Sequence, residues 1–326
     1  MLDSVTTDSL TQIVGSEYVL TGSYDLDRYS ADALNPIRAF GAEAVFDRLA
    51  DAVVRPESTK QVADIVSLAA AQKLSLFPYG GGTGVMGGTV PVRGGVVVDI
   101  SRMNRILEIS ARDLTATVDG GVVLEDLEIK LAEQGLMPGH DPYSVPIATV
   151  AGTISTNGVG YRAAAFGPMG NQVVALEVVL PDGRVITTNA VPKYSSGPNL
   201  NHLFIGSEGV FGIITRATIR VFRLPESQVF STASFDTFDQ GFDAAVELTA
   251  LGIRPSLLDL TEDEAKAYAT VGVSLDDSRY IMPSGLGRIA DELSRRGVEP
   301  IEIDYDHVSY WGGCVSCSTH AVSRDP

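Results

Sequence analysis

Apolar residues in the first third of the chain recur at helical spacing in one segment, which short apolar runs flank on both sides. The residues that repeat three or four positions apart are Val62, Ile65, Val66 and Ala69. This period predicts an amphipathic helix, for which Ser58 or Thr59 can serve as the N-cap. The runs at 52–56 and 74–77 predict a strand before and a strand after it. The segment as a whole therefore predicts a β-α-β unit.

Other patterns predict further elements, most of them strands downstream of this unit. Residues 105–109 and 114–118 predict paired strands, and the Pro181-Asp182-Gly183 turn predicts a hairpin of 173–180 with 184–188. The remaining elements expected are a helix from residue 8 capped by Asp8 or Ser9, an irregular polar passage at 25–32, a helix at 124–133 closed by Gly135, a long loop at 137–167, a short helix at 200–205 and a long strand at 213–222.

The length of 326 residues suggests roughly two domains, and Leu224-Pro225-Glu226 is the best linker between them. We expect a lead-in at residues 1–45, a main domain at 46–224, a smaller α+β unit at 225–310 and an irregular tail at 311–326. The elements predicted for the smaller unit are strands at 229–235, 256–260 and 299–305 and helices at 241–251, 262–270 and 286–296.

Charge and composition narrow the functional classes. The formal net charge is −17 and the pI about 4.6, which argues against nucleic acid and anionic membrane surfaces as partners. The N-terminus lacks the basic start and apolar core of a signal peptide, and no apolar run is long enough to span a bilayer. We therefore expect a cytosolic protein. Cys314 and Cys317 lack a full set of zinc ligands nearby, so an incidental pair is favoured over a metal or redox site.

Candidate chemistry begins with the glycine-rich segment 77–91, Phe-Pro-Tyr-Gly-Gly-Gly-Thr-Gly-Val-Met-Gly-Gly-Thr-Val-Pro. Glycines let backbone amides converge on one oxyanion, and Thr83 adds a hydroxyl donor. A P-loop would need a Gly-Lys-Ser/Thr ending, and the dinucleotide fingerprint would need a helix directly after the glycines. Diphosphate binding suits this loop best, and a plain turn between two strands is the alternative.

Two further loops have the same small, hydroxyl-rich character. Residues 140–160 contain Ala-Thr-Val-Ala-Gly-Thr-Ile-Ser-Thr-Asn at 148–157, and residues 206–215 read Gly-Ser-Glu-Gly-Val-Phe-Gly-Ile-Ile-Thr. Such segments let the backbone lie flat against a planar ligand and donate hydrogen bonds to it. Taken together, the three loops favour a large ligand with a diphosphate and a flat ring.

In order and spacing these three loops resemble those of the FAD-linked oxidases of the vanillyl-alcohol oxidase type, over residues 10–224. Among these, the chain is most similar to glycolate oxidase FAD subunits, D-lactate and D-2-hydroxyglutarate dehydrogenases, and alkyldihydroxyacetonephosphate synthases. The resemblance implies an α+β fold, in which a PCMH-type FAD-binding domain of two α/β subdomains is followed by a partial α+β substrate (cap) domain. It also implies a flavoenzyme that oxidises a small 2-hydroxy acid by hydride transfer to flavin N5. The alternatives are an alkyl-transferring synthase and a non-catalytic FAD-binding subunit.

The resemblance also implies site residues. Those for the diphosphate are Pro78, Tyr79, Gly80, Gly81, Gly82, Thr83 and Gly84, with Gly87 and Gly88. Those for the ribityl chain and the isoalloxazine ring are Tyr143, Ser144, Thr149, Gly152, Thr156, Asn157, Gly158 and Val159. Those for the adenine and ribose side, or for the flank of the ring, are Glu208, Gly209, Gly212, Ile213 and Ile214. No histidine stands in the glycine loop, so FAD is expected to bind noncovalently.

The catalytic residues and any metal ligands are not implied, because no histidine of this chain lies in the family's histidine-rich cap element. Members of the family continue well past residue 326, so we expect either a truncated gene product or a chain whose partner supplies the rest. A half cap domain would also favour self-association. Arg162 could pair with a substrate carboxylate, and a salt bridge within the protein or a role facing a phosphate is equally open. A satisfied loop histidine is favoured for His140, and a backbone-anchoring carboxylate for Glu208.

Overall fold

The structure is a computed structural model that describes residues 2–33, 49–191, 197–227 and 237–253, three later strands between 273 and 303, and residues 233, 235, 255 and 294. The described residues form two compact units that divide after Glu226. The strands predicted at 229–235 and 256–260, the helices at 262–270 and 286–296, and the tail with its two cysteines lie wholly or largely outside the described residues.

The first unit begins with a four-stranded sheet. Its strands are β1 (Val19–Leu20), β2 (Ala52–Val54), β3 (Leu76–Tyr79) and β4 (Val96–Asp99), in the order β1-β2-β4-β3. The helices of this half are α1 (Ser4–Val14), α2 (Ser23–Tyr29) and α3 (Thr59–Gln72). Strands β2 and β3 both run parallel to β4, which lies between them. The predicted β-α-β unit is confirmed, and the glycine loop connects the parallel neighbours β3 and β4.

A six-stranded sheet forms the second half of this unit. Its strands are β5 (Ile106–Ser110), β6 (Thr115–Asp119), β7 (Leu136–Pro138), β8 (Val173–Val179), β9 (Val185–Thr187) and β10 (Ile213–Arg223), in the order β5-β6-β10-β8-β9 with β7 on the end of β10. The helices are α4 (Leu124–Ala132), α5 (Val150–Thr156), α6 (Ala163–Phe166) and α7 (Asn201–Phe204). Strand β10 pairs antiparallel with β6, β7 and β8, and it lies between β6 and β8 in the sheet.

The two halves share one hydrophobic core. All four predicted core positions of α3 are buried, and three of them, Val62, Ile65 and Val66, belong to this core. Val98 of the first sheet and Leu176 and Ile219 of the second belong to the same cluster. This arrangement is the predicted pair of α/β subdomains, held together by apolar burial.

Three local predictions were wrong. Helix α1 begins at Ser4, because Asp3 and not Asp8 or Ser9 caps it by accepting a hydrogen bond from the Thr6 amide. Residues 25–32 are not irregular throughout, because α2 extends to Tyr29, which is buried against Val53 and Val97 on the outer face of the first sheet. The long loop expected at 137–167 contains the end of β7 and helices α5 and α6.

The described part of the second unit contains helix α8 (Phe238–Ala250) and the strands β11 (Val273–Asp276), β12 (Arg279–Pro283) and β13 (Glu299–Ile303). Strand β12 pairs antiparallel with β11 and parallel with β13. The helix predicted at 241–251 and the strand at 299–305 are confirmed, whereas β11 and β12 were not predicted. A role of this unit as a substrate domain stays a prediction.

Candidate functional site

The glycine loop packs directly against the second predicted loop. A β-carbon on Gly80 would collide with the Thr149 hydroxyl, and one on Gly81 would collide with the carbonyl oxygen of Ile147. Thr149 is itself fixed, because its hydroxyl caps α5 by accepting a hydrogen bond from the Gly152 amide at 3.3 Å. Glycines at 80 and 81 therefore let two backbones meet where any side chain would hold them apart.

The third loop closes on the glycine loop from another side. A β-carbon on Gly88 would collide with the Glu208 carboxylate, and one on Gly209 would lie 2.7 Å from Cγ of Pro78. The Gly206 and Glu208 amides donate to the carbonyls of Ile154 and Ser155 at the end of α5, at 3.0 and 2.9 Å. All three predicted loops thus converge on one place, with α5 between the second and the third.

The later part of the second loop is held by its own hydrogen bonds. Asn157 has a left-handed backbone at φ 49°, and its side-chain oxygen accepts from the Gly170 amide at 2.9 Å. The Gly158 carbonyl accepts from the Met169 amide at 2.9 Å, and the Thr156 hydroxyl donates to the Gly152 carbonyl at 3.2 Å. These hydrogen bonds give the segment a defined shape.

A buried polar network lies beneath the glycine loop. The Asp99 carboxylate accepts hydrogen bonds from the Tyr29 hydroxyl at 2.8 Å, from Nε of Arg55 at 2.9 Å and from both the amide and the hydroxyl of Ser101. The edge of the Tyr29 ring meets the Tyr79 ring at a centroid distance of 4.8 Å. Burial, followed by the Asp99 charge, raises the pKa of Tyr29 well above its usual range. Both tyrosines therefore stay neutral at physiological pH.

His140 is buried beside the second loop. Its side chain is 2% exposed, and its Cε1 and Nε2 would lie 3.2 Å from a β-carbon on Gly158. Neither ring nitrogen has a hydrogen-bond partner among the residues that the structure describes. Burial lowers the pKa of His140 to about 4, so the imidazole is neutral at physiological pH. The described protein residues do not confirm the prediction of a satisfied loop histidine, which stays a prediction.

Several large apolar side chains stand exposed around the converging loops. Tyr143 is 90% exposed, and the others in the second and third loops are Ile147, Val159, Val210 and Phe211. Exposed apolar groups on these loops favour an apolar or aromatic ligand, because binding one removes that surface from water. A flat ring system suits such a surface.

The structure brings part of each predicted loop to this place. The contacts described above join Pro78, Gly80, Gly81 and Gly88 of the glycine loop to Ile147, Thr149, Glu208 and Gly209 of the other two loops. Ile213 and Ile214 differ from the others, because their side chains lie in the core and leave only their backbone for a ligand. Arg162 forms a salt bridge: Nε lies 3.0 Å from the Asp141 carboxylate, and Nη2 lies 3.6 Å from the Glu128 carboxylate.

Sequence reasoning missed three residues that hold the glycine loop. Asp32 and Ala33 form hydrogen bonds to Gly87 and Gly84, and Asp99 anchors Tyr29 beside Tyr79. No local pattern marks them, because their partners lie between about 50 and 70 residues away in sequence. In the described part of the chain no group of three or more His, Cys, Asp or Glu side chains could hold a metal ion, and no helix is long and apolar enough to cross a membrane.

The residues present fit FAD by their chemistry. The glycine loop offers small residues, backbone amides and the Thr83 hydroxyl for a diphosphate, while the exposed apolar side chains suit an aromatic ring. No histidine lies in the glycine loop, which fits a cofactor held without a covalent bond to that loop.

Comparison with known proteins gives the same picture. Residues 50–189 match the FAD binding domain family. The glycolate oxidase subunit GlcD of Bacillus subtilis is 31% identical over 288 residues, which cover 87% of this chain and 60% of the relative. The D-lactate dehydrogenase of Archaeoglobus fulgidus is 34% identical over 261 residues, which cover 79% of this chain and 56% of the relative. The chain thus spans between half and two thirds of the length of these relatives.

Solved structures agree in fold. An alkyldihydroxyacetonephosphate synthase matches with a TM-score of 0.69 and 24% identity, over 79% of this chain and 47% of that one. A p-cresol methylhydroxylase with bound substrate matches with a TM-score of 0.60 and 22% identity, over 76% and 48%. Residues 50–189 are therefore an FAD binding domain with FAD as its cofactor, and the chain is similar in sequence to a glycolate oxidase subunit and a D-lactate dehydrogenase and in fold to these two solved flavoenzymes.

Proposed function

We propose that the FAD diphosphate binds at the glycine loop, at residues 78–84 with 87 and 88. In this proposal residues 143–149 and 156–159 face the ribityl chain and the isoalloxazine ring, and residues 208–214 flank the ligand from the other side. The observation that carries the proposal is the convergence of three loops, in which Gly80 and Gly81 pack on 147–149 and Gly88 packs on Glu208. Loops so far apart in sequence meet here and leave exposed apolar side chains at their edge.

The proposed reaction is the oxidation of a small 2-hydroxy acid to a 2-oxo acid. Bound FAD supplies the hydride acceptor, and the hydride comes from the α-carbon of the substrate while the hydroxyl proton passes to a base. The residues of this chain bind and orient the cofactor. Backbone amides hold the diphosphate anion, and the exposed apolar side chains of the loops exclude water from the flavin ring. A second substrate (a quinone, an electron-transfer protein or oxygen) then takes up the two electrons.

Support for a hydroxy-acid substrate comes from the names of the relatives. A glycolate oxidase subunit and a D-lactate dehydrogenase are both above 30% identical to this chain, and both names denote oxidation at a hydroxyl-bearing carbon of a short acid. Small-molecule substrates of this kind also agree with the acidic surface, which does not favour polyanionic partners.

A second candidate is an alkyl-transferring flavoenzyme. A Trypanosoma brucei alkyldihydroxyacetonephosphate synthase is 34% identical over 68% of this chain, and a synthase of the same name gives the TM-score of 0.69. A third candidate is a subunit that binds FAD without catalysing a reaction. One measurement separates the three candidates, because only the hydroxy-acid oxidation predicts net reduction of the flavin by a hydroxy acid.

Gly84 gives the sharpest test of the proposed diphosphate site. A β-carbon there would meet only the Asp32 carboxylate, at the ordinary contact distance of 3.4 Å, so the fold tolerates a methyl group at this position. If the loop cradles the diphosphate, Gly84→Ala weakens FAD binding by at least about tenfold while thermal stability without FAD is unchanged. The matched control is Gly22→Ala, an exposed glycine with similar space around it. If Gly84→Ala binds FAD as tightly as the wild type does, the diphosphate binds elsewhere.

The substrate class is tested by anaerobic titration of the FAD-loaded protein with D-lactate, glycolate and D-2-hydroxyglutarate. We expect at least one of them to bleach the visible flavin absorbance and to yield the matching 2-oxo acid. Flavin that is bound but reduced by none of the three would contradict the hydroxy-acid proposal and favour the other two candidates.

A further inference from the structure

Residues just after α2 hold the second half of the glycine loop at both ends. The Gly87 amide donates a hydrogen bond to Oδ2 of Asp32 at 3.0 Å, and the Ala33 amide donates to the Gly84 carbonyl at 2.8 Å. These two contacts join neighbouring residues of one segment to the two ends of the loop segment 84–87. The arrangement is a clasp, and we use this word for Asp32 and Ala33 together.

The clasp is attached to a firmly anchored helix. Tyr29, the last residue of α2, is buried and donates to the Asp99 carboxylate, and its ring edge packs on Tyr79 at the start of the glycine loop. The Ser30 hydroxyl accepts a hydrogen bond from the Ala50 amide at 2.8 Å. The segment from Tyr29 to Ala33 therefore contacts the glycine loop at three places, Tyr79, Gly84 and Gly87.

Holding this loop matters because glycine-rich backbone has many accessible conformations. Ordering such a loop during ligand binding would subtract its conformational entropy from the affinity, so a loop ordered in advance binds more tightly. The clasp also determines which amides remain for an anion. The Gly87 amide is taken by Asp32, so in the proposed site Gly87 lies beside the diphosphate without donating its amide, and the amides of residues 80–84 are the donors.

We propose that Asp32 is a positioning residue for FAD: its carboxylate holds segment 84–87 in the conformation in which the rest of the glycine loop receives the diphosphate. This inference rests on the proposed function, which puts the diphosphate at the glycine loop. The opposite view is that the Asp32 carboxylate competes with the diphosphate for the Gly87 amide and repels its charge. The two views predict opposite signs for the loss of the carboxylate.

Three variants separate these views by FAD affinity, measured by titration of the FAD-free protein. Asp32→Ala removes the acceptor and should weaken FAD binding roughly tenfold, the effect of losing one charge-assisted hydrogen bond. Asp32→Asn keeps an acceptor oxygen without the charge and should stay within about threefold of the wild type. Asp27→Ala is the matched control, because it removes an exposed aspartate from α2, the helix that precedes Asp32. An unchanged or tighter affinity in Asp32→Ala overturns the proposal.

A second measurement does not depend on FAD. Amide hydrogen exchange of the FAD-free protein should show Gly87 protected in the wild type and Asp32→Asn but exchanging rapidly in Asp32→Ala. Rapid exchange at Gly87 in the wild type would overturn the clasp itself. Gly84→Ala reports separately on the proposed function: if that variant keeps its FAD, the diphosphate site is wrong whatever Asp32 does.

Discussion

Gly81 lies directly against the carbonyl oxygen of Ile147, with no room for a side chain between the two backbones. This contact joins the glycine loop, which connects β3 and β4, to the loop that leads into α5. Since 66 residues separate the two in sequence, the contact exists only when both subdomains are in place. The fold of the site therefore requires a residue without a β-carbon at position 81.

Gly81→Ala should therefore destabilise the protein as well as weaken FAD binding. A methyl group at this position meets backbone atoms that cannot rotate away, and we expect the free energy of unfolding to fall by roughly 1–3 kcal/mol. Urea denaturation of the FAD-free protein measures this loss, with Gly22→Ala as the control. Unaltered stability in Gly81→Ala would show that the two loops do not touch.

FAD should leave the protein intact when the protein is denatured. No histidine stands between residues 77 and 91, so that loop has no imidazole to form a bond to the flavin. We expect heat or acid precipitation to release all of the yellow colour into the supernatant, where chromatography identifies unmodified FAD. Colour that stays with the pellet would contradict this prediction.

His140 should make stability depend on pH in a defined window. Its pKa is about 4 in the folded protein and 6.5 in an unperturbed imidazole, so on acidification the unfolded chain binds the proton first. The folded state therefore has its full stability above about pH 6.5 and loses up to about 3 kcal/mol as the pH falls towards 4.

The His140→Leu variant isolates this contribution, because it keeps the volume without the titrating group. Between about pH 7 and pH 4.5 the variant should lose less stability than the wild type does. His202→Gln is the control, since it removes an exposed histidine. Equal slopes for His140→Leu and the wild type would mean that the imidazole is not buried.

Tyr29→Phe should cost about 1–2 kcal/mol of stability, the usual loss for one hydrogen bond to a buried carboxylate. The Asp99 carboxylate keeps Arg55 and Ser101 as donors, so the loss stays moderate. The ring contact with Tyr79 survives, which assigns the effect to the hydroxyl. Tyr24→Phe, on the exposed side of the same helix, should change nothing measurable.

Local patterns in the sequence predicted the elements whose packing is also local. The helical spacing of four apolar residues was enough to predict α3, and the turn at Pro181–Gly183 was enough to predict the hairpin of β8 and β9. Composition was enough to suggest that the three small-residue loops belong together. Within each helix, hairpin or loop, the residues that carry the signal are neighbours in sequence.

The elements missed are those that depend on distant partners. Helix α2 is mostly polar, and its one buried residue is stabilised by Asp99, 70 residues further on. Helix α5 has only seven residues, too few to show a helical period, and its end is completed by amides of the third loop. The contact of Asp32 with Gly87 has no sequence signature, because an aspartate in a polar segment is ordinarily solvated.

The position of β10 has a consequence for the order of events during synthesis. This strand, residues 213–223, is the middle of its sheet and pairs with β6 about 100 residues earlier. Until β10 has left the ribosome, β6 and β8 have no common neighbour in the sheet. We therefore expect the nascent chain to acquire its cofactor late, with the second sheet open and exposed to chaperones until then.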